Sequence, residues 1–308
     1  MFNFFQKKSI GLDIADHSIE VVELIKIGRK IKILSLNRLK LEPGIVEKGR
    51  IKNQEKLTKA IKEVFSKAQP YRITAKKLIF SLPESQIYTH VFDIIFKGRK
   101  VTPNFVVTER KNLVWQEARK NIPLDQKDLL FSDKILKVTI LDQQRIRMEN
   151  LLIAASRTVA LEWREFFQAM KIEVNFFEIE TLAILRGLFI KPPKEPVCVI
   201  DMGAVTTNVA IFDRGDLRYS YSIKIAGDVL NRKIVETLKV KPEQAEELKN
   251  KYGLNGKNPD LTSVLKNTLK PVLKEIKESF DHFENKTGLK INEIILVGGS
   301  AQLKGLVD

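Results

Sequence analysis

The spacing of apolar and polar positions changes period several times along the chain, and each change marks an element. Over residues 9–40 hydrophobic and polar positions alternate in three runs, the pattern of half-buried strands, with Gly28-Arg29 turning the first hairpin. Leu57, Ile61, Val64 and Phe65 then fall at helical spacing, which predicts a helix capped by Asn53 and running through Ala68. Lys77 to Leu82 reads as a strand halted by Pro83. From Glu84 to Ser156 the pattern is less regular. It predicts a strand near Gln86–Ile95, a helix near Asn104–Asn121, and strands near Phe131–Leu141 and Asn150–Ala155, the content of an inserted subdomain. A helix from Thr158 to Met170 leads into the apolar segment Glu178–Ile190. Lys191-Pro192-Pro193-Lys194-Glu195-Pro196 is held extended by its prolines and separates two halves. Beyond it come a second hairpin, a mostly helical block from Asp228 to Thr287, and a final strand.

The two halves share a phrase. Asp13-Ile14-Ala15-Asp16-His17-Ser18 closes one apolar run, and Asp201-Met202-Gly203-Ala204-Val205-Thr206 closes another. In each, a small residue stands two positions after the Asp and a hydroxyl five positions after it. An alternating strand follows, Ile19–Leu24 in one copy and Asn208–Phe212 in the other. A buried strand does not ordinarily end in a carboxylate without a partner or a metal. In open α/β sheets the carboxyl ends of the strands face the ligand crevice. Gly203 lets backbone approach a phosphate, and hydroxyls and loop N–H groups can donate to it. Mg²⁺ needs one or two carboxylates and takes the rest of its shell from phosphate and water. Each phrase alone is also what an ordinary tight turn looks like. The matched pair points to a nucleotide held through a metal between two similar half-domains. A third signal is the strand Glu293–Val297 running into Gly298-Gly299-Ser300, flat backbone at a helix start against which an adenosine could lie.

Composition narrows the class. The chain has 308 residues, 44% hydrophobic and 30% charged, enough for two domains with their own cores. No signal peptide or membrane span is read: the start Met1-Phe2-Asn3-Phe4-Phe5 is too short, and Phe176–Ile190 is interrupted by Glu178, Glu180 and Arg186. Met1–Phe5 followed by Lys7-Lys8 reads as an apolar cap on the first sheet or a membrane contact. Cys198 is the single cysteine, which excludes an internal disulfide and suits a reducing compartment; its position predicts a small buried hydrophobe. The net charge of +15 is spread over helix faces among glutamates, without a zinc spacing or basic tail. A solvated lysine-rich surface explains it better than nucleic acid does, with attraction to an anionic leaflet or acidic partner as the lesser alternative.

In this order the motifs resemble those of the actin-like ATPase superfamily: phosphate-1 at Asp13, phosphate-2 at Asp201-Met202-Gly203, and adenosine at Gly298-Gly299-Ser300. Within it the chain is most similar to the PilM family of type IV pilus assembly proteins, relatives of the cell-division protein FtsA. Trp115–Pro123 resembles that family's phrase in the inserted subdomain, Glu180–Arg186 its connecting helix, and Ala226–Leu230 with Ala245–Lys249 its subdomain 2B signature. The resemblance implies an α/β fold of duplicated ribonuclease-H-like halves, with an FtsA-type 1C subdomain inserted and a mostly helical 2B subdomain. The implied boundaries are 1A at 1–83 and 157–195, 1C at 84–156, 2A at 196–227 and 289–308, and 2B at 228–288.

It also implies ATP and Mg²⁺ as cofactors, with ATPase activity weak or absent. Asp13 and Asp201 would hold the metal and its waters. Gly11, Ser18, Gly203, Thr206, Thr207 and Gly227 would line the nucleotide. Glu180 would orient a water near the terminal phosphate, Glu246 and Lys249 would reach the ribose or adenine, and Gly298, Gly299 and Ser300 would support the adenosine. The implied setting is the cytoplasm, peripheral to the inner membrane. There a bitopic PilN-like partner offers its cytoplasmic N-terminal tail to a groove involving the inserted subdomain, and no nucleic acid is expected.

The first loop departs from the family pattern, with Ala15 where Gly is expected and Asp16 and His17 where small or hydroxyl residues are. Asp16 so placed would oppose phosphate by about 1–4 kcal/mol unless it joins the metal or turns outward. Asp308 follows the third motif almost at once, so the chain is expected to be a fragment or a short member. Three other readings remain open on sequence: a phosphotransferase, for which His90 and Asp93 are the residues to inspect; a filament-forming ATPase; and a degenerate scaffold that no longer binds nucleotide.

Overall fold

The structure is a computed structural model that describes residues 7–74, 76–97, 103–142, 144–256 and 258–307, with backbone alone at Lys7 and 103–108. The expectations for Met1–Phe5 fall outside the described residues. The chain divides into two compact units, Met1–Leu188 and Phe189–Asp308, the division falling just before the proline-rich run.

The first unit opens with β1 (Lys7–Ile14), β2 (Ser18–Ile27) and β3 (Lys30–Lys40), an antiparallel meander. A short hairpin of β4 (Val46–Glu47) and β5 (Arg50–Ile51) precedes α1 (Gln54–Ser66), whose N-cap Asn53 accepts a hydrogen bond from Lys56 N. Next come β6 (Lys77–Leu82), β7 (Ile87–Lys97), α2 (Pro103–Asn121), β8 (Leu129–Asp142) and β9 (Arg145–Ser156). The unit closes with α3 (Arg157–Ala169), β10 (Glu173–Ile179) and α4 (Glu180–Leu188). The main sheet has the order β10-β6-β1-β2-β3, with β6 parallel to both β1 and β10. Alternation in β1 and β2 sends Ile10, Leu12, Ile14, Ile19 and Val21 to one face, where they meet Leu57 and Ile61 of α1 and Trp163 and Phe167 of α3. Trp163 is fully buried against Phe80, their ring centroids 4.7 Å apart. The β7–β9 segment forms a separate three-stranded sheet, order β7-β9-β8, with its own core of Phe92, Phe96, Val114, Ala118 and Leu152.

The second unit contains β11 (Val197–Met202), β12 (Thr207–Asp213), β13 (Asp216–Ile223), α5 (Gly227–Leu238), α6 (Pro242–Tyr252), α7 (Pro259–Thr287) and β14 (Glu293–Val297). Its sheet order is β13-β12-β11-β14, with β11 and β14 parallel. Val197, Cys198, Val199 and Ile200 are all buried, the continuous apolar run of a strand covered on both faces. Burial pushes the Cys198 thiol up to about 12, so it packs as a hydrophobe. The long α7 carries an apolar stripe of Leu261, Leu265, Leu269, Val272 and Ile276 and stops at Gly288, whose φ of +71° ends the helix in a left-handed turn.

Four strands were not expected from the sequence. β10 occupies what read as a link, because a bulge between Val174 and Phe176 breaks its alternation. The helix after it begins at Glu180. β13 alternates weakly as an edge strand with a register shift opposite Ile211–Phe212. β4 and β5 are two residues each, too short to show a period.

Candidate functional site

The repeated phrase folds the same way twice. In the first unit Asp13 pairs with Glu20 and Ile14 with Ile19, and Ala15 N donates to Ser18 O at 2.9 Å. In the second, Asp201 pairs with Asn208 and Met202 with Thr207, and Gly203 N donates to Thr206 O at 3.0 Å. Counted from each Asp, the closing bond and the strand pairs fall at identical offsets. The other edge matches too. Asp13 stands beside Ser81 of the parallel β6, and Asp201 beside Val297 of the parallel β14. Each Asp is therefore the half-buried last polar position of a strand hydrogen-bonded on both sides.

In the first unit the register places a polar row across the strand ends: Arg38, Glu20, Asp13, Ser81 and Glu178 on successive strands. Arg38 binds Glu20 at 2.8 Å, and Arg186 of α4 binds Glu178. Burial holds the Glu20 carboxyl above the usual carboxylate range, against the opposing pull of Ser18 and Arg38. Glu20, Ser81 and Glu178 were not singled out from the sequence. Only the pairing of β10 with β6 puts Glu178 in Asp13's row, and no spacing in the chain announces that. Glu180 starts α4, half-buried, two residues after Glu178. Gly11 lies in β1 opposite Val22, and a Cβ there would make only ordinary contact with that side chain at 3.5 Å.

Asp16 is engaged by backbone amides. Its carboxylate accepts Lys48 N at 2.8 Å and Gly49 N at 3.1 Å, in the two-residue turn between β4 and β5. Lys48 and Gly49 both have positive φ, 51° and 72°, so their N–H groups converge into a small anion nest, which the Asp16 side chain occupies. The same turn is gripped from its carbonyls: Gln86 Nε2 donates to Lys48 O at 2.7 Å, and Trp163 Nε1 to Gly49 O at 3.0 Å. Glu162 accepts from Ile51 N at 3.2 Å and from the Arg50 guanidinium at 2.7 Å. A side chain at residue 49 would meet Pro83 Cβ at 2.7 Å. The first loop is thereby tied to Gln86, at the entrance to the inserted segment, and to α3, at its exit.

In the second unit three segments converge on backbone alone. Gly227 N donates to Gly203 O at 3.2 Å and Asp228 N to Ala204 O at 2.8 Å, so the start of α5 is capped by the second loop rather than by a side chain. Ser300 Oγ donates to Gly203 O at 2.7 Å. A Cβ on Gly227 would stand 2.6 Å from Ser300 Oγ. Gly298 has φ +91°, and a Cβ there would collide with Asp201 Oδ1 and stand 2.6 Å from Met202 O. Gly299 is exposed beside it, with open space where a side chain would be. On α6, Lys249 is 8% exposed. Burial pulls its ammonium below the usual lysine range, while the nearby Glu246 and Asp228 carboxylates oppose that fall. Glu246 itself is exposed. Thr206 is half-buried at the loop. Thr207 is fully buried and donates to Ile225 O at 2.7 Å, so its hydroxyl anchors β12 to the segment before α5 rather than facing a ligand.

This donor set suits a nucleotide. Gly227 and Gly298 let Ser300 and Asp201 pack closely on the second loop, and Gly299 beside them leaves open space where phosphate or ribose could approach backbone. Among the described residues no group of three His, Cys, Asp or Glu is placed to hold a metal ion. A divalent cation at either hairpin would thus take few protein ligands and complete its shell with phosphate oxygens and water, as Mg²⁺ does. His90 and Asp93 do not make an acid–base pair: three apart on β7, they point to opposite faces, His90 stacking on Phe92 with its Nε2 3.7 Å from Glu117. No helix among the described residues is long and apolar enough to cross a membrane.

Comparison with known proteins agrees with this architecture. The profile of the family described as Type IV pilus assembly protein PilM matches residues 11–308. Cell division protein FtsA of Streptococcus pneumoniae is 23% identical over 332 aligned residues, covering 97% of this chain and 72% of that protein. FtsA of Pseudomonas aeruginosa is 37% identical over 82 residues, 26% of this chain and 20% of that one. Among solved structures, a chain of a PilM–PilN type IV pilus biogenesis complex superposes with a TM-score of 0.78 at 18% identity, covering 97% of this chain and 83% of that chain. MreB5 of Spiroplasma citri, bound to AMPPNP, superposes with a TM-score of 0.53 at 15% identity, over 97% of this chain and 87% of that chain. The fold is that of the actin-like ATPases.

The nest at Lys48-Gly49 yields a sharp expectation. Asp16→Ala leaves two converging N–H groups without their charged acceptor and should lower unfolding free energy by about 1–3 kcal/mol in urea titration. Unchanged stability would show that Asp16 does not hold the turn.

Proposed function

We propose that this chain, which belongs to the PilM family of type IV pilus assembly proteins, binds ATP with Mg²⁺ through its two acidic hairpins and works as an assembly scaffold for a bitopic inner-membrane partner. The observation that carries the nucleotide reading is the identical register of the two Asp-terminated hairpins, with Gly298 laid flat against Asp201. Asp13 and Asp201 serve as the metal-side carboxylates. Ser18, Gly203 and Thr206 serve the phosphates, Gly227 and Gly298 to Ser300 the adenosine, and Glu246 and Lys249 its outer edge. The bound metal supplies charge neutralisation at the phosphates. Asp16 does not oppose this reading, because its carboxylate is committed to two backbone amides. Glu178 joins Glu180 as a carboxylate near the end of Asp13's row, and its ion pair with Arg186 suits it to holding α4 in place.

The partner reading rests on family membership and on the solved PilM–PilN complex. The partner class is a PilN-like protein offering a cytoplasmic N-terminal tail. The inserted segment 84–156 is the element to receive it, since it has a core of its own and is joined to the first hairpin's support at Gln86. This places the chain at the cytoplasmic face of the inner membrane, held there through its partner.

Two measurements test the proposal. Asp201→Ala should raise the Kd for Mg-ATP by at least about tenfold, the loss of about 1.4 kcal/mol or more expected for one charged ligand, without changing the melting curve. Equal affinity in a folded variant would remove the proposed site. A partner tail fused to a fluorescent protein should bind the full chain and not a chain in which 84–156 is replaced by a short linker; binding to both would place the dock elsewhere.

A further inference from the structure

The open end of the β2–β3 hairpin combines two properties that rarely meet on a soluble surface. Ile27, Ile31, Ile33 and Leu36 are 49%, 67%, 62% and 51% exposed. Between Glu23 and Glu42 the sequence holds six Lys or Arg (Lys26, Arg29, Lys30, Lys32, Arg38 and Lys40) and no Asp or Glu. Register arranges them. Lys26 lies opposite Ile31, Leu24 opposite Ile33 and Val22 opposite Leu36, so these share the face turned away from the α1–α3 core. Ile27 opposite Lys30 shares the other face at the tip. The nearest acid on the hairpin, Glu23, is buried and faces Lys8 at 3.6 Å. Among the described residues Lys26, Arg29, Lys30 and Lys32 have no ion-pair partner, whereas Arg38 is occupied by Glu20.

We infer that this hairpin is a direct contact with an anionic lipid surface, its isoleucines entering the headgroup boundary and its four unpaired cations meeting lipid phosphates. The chemistry favours a bilayer over a peptide. Ile31, Ile33 and Leu36 stand exposed on one face of a sheet, a surface suited to shallow insertion more than to gripping a peptide side chain. Lys26 shares the face of Ile31 and Ile33, and Lys30 and Lys32 stand on the other face beside Ile27, so a hairpin entering edge-on combines shallow apolar insertion with attraction to acidic lipid from both faces. Edge lysines also guard a sheet against strand pairing. That role accounts for the charges on β3, but it does not account for three isoleucines left in water beside them.

Flotation of the full chain with phosphatidylcholine vesicles, with and without phosphatidylglycerol, tests the inference. The chain should float with the anionic vesicles alone. Lys30→Glu with Lys32→Glu should weaken binding by about tenfold or more. Ile31→Ser with Ile33→Ser should weaken it several-fold, and all four positions are exposed, so both variants should melt as the parent does. Absence of flotation, or flotation unaffected by either variant, overturns the contact. Loss in the charge variant with none in the isoleucine variant also overturns it, leaving only general attraction of a basic protein to a polyanion.

Discussion

A strand hydrogen-bonded along both edges cannot rotate its side chains freely, so the residue at its carboxyl end points where the pleat sends it. β1 and β11 are held in this way, each by an antiparallel partner on one side and a parallel partner on the other. The pleat buries Leu12 and Ile14 beside Asp13, and Ile200 and Met202 beside Asp201, and leaves both carboxylates half-exposed at the loop. Without that two-sided clamp the acids would be mobile turn residues. With it they are fixed charges at matched positions, and the small residues around them follow. Gly298 is held to glycine by its φ of +91° and by Asp201 and Met202 O, which stand where its side chain would be, and Gly227 packs against Ser300 Oγ.

The two copies have diverged around this shared frame. The second hairpin is supported mostly by main chain, through the capping of α5 by Gly203 and Ala204, with the Ser300 hydroxyl added. The first is supported by side chains. Asp16 fills the amide nest of the Lys48-Gly49 turn, and Gln86, Trp163 and Glu162 hold the same turn from the borders of the inserted segment. A displacement of the first loop would be felt first at those borders, which ties the loop to the inserted segment.

Much of this was legible in the sequence, because the signals were periodic or punctuated. The strands of residues 9–40, the Asn53 cap, the paired Asp phrases and the glycines after β14 are local patterns. What was not legible depended on pairing across long separations. Asp16 read as opposed to phosphate, joined to the metal or turned outward; its acceptor role needs a turn 32 residues away. β10 was hidden by a bulge, and with it the alignment of Glu178 with Asp13 across β6. Thr207 looked like a phosphate ligand beside Thr206, but the strand begins there, and alternation turns its hydroxyl inward to Ile225. In each case one residue's neighbours were decided by register, which a linear pattern does not contain.

The central claim is the proposal that each acidic hairpin takes part in binding nucleotide with its metal. Hydrogen exchange of the full chain, read peptide by peptide before and after addition of ATP and Mg²⁺, tests it most directly. Slowed exchange in residues 13–18 together with 201–206 and 298–300, appearing at the same ATP concentration and reversed by chelation of the metal, is the predicted result. Protection confined to one hairpin, or to neither in a chain shown to be folded, would contradict it.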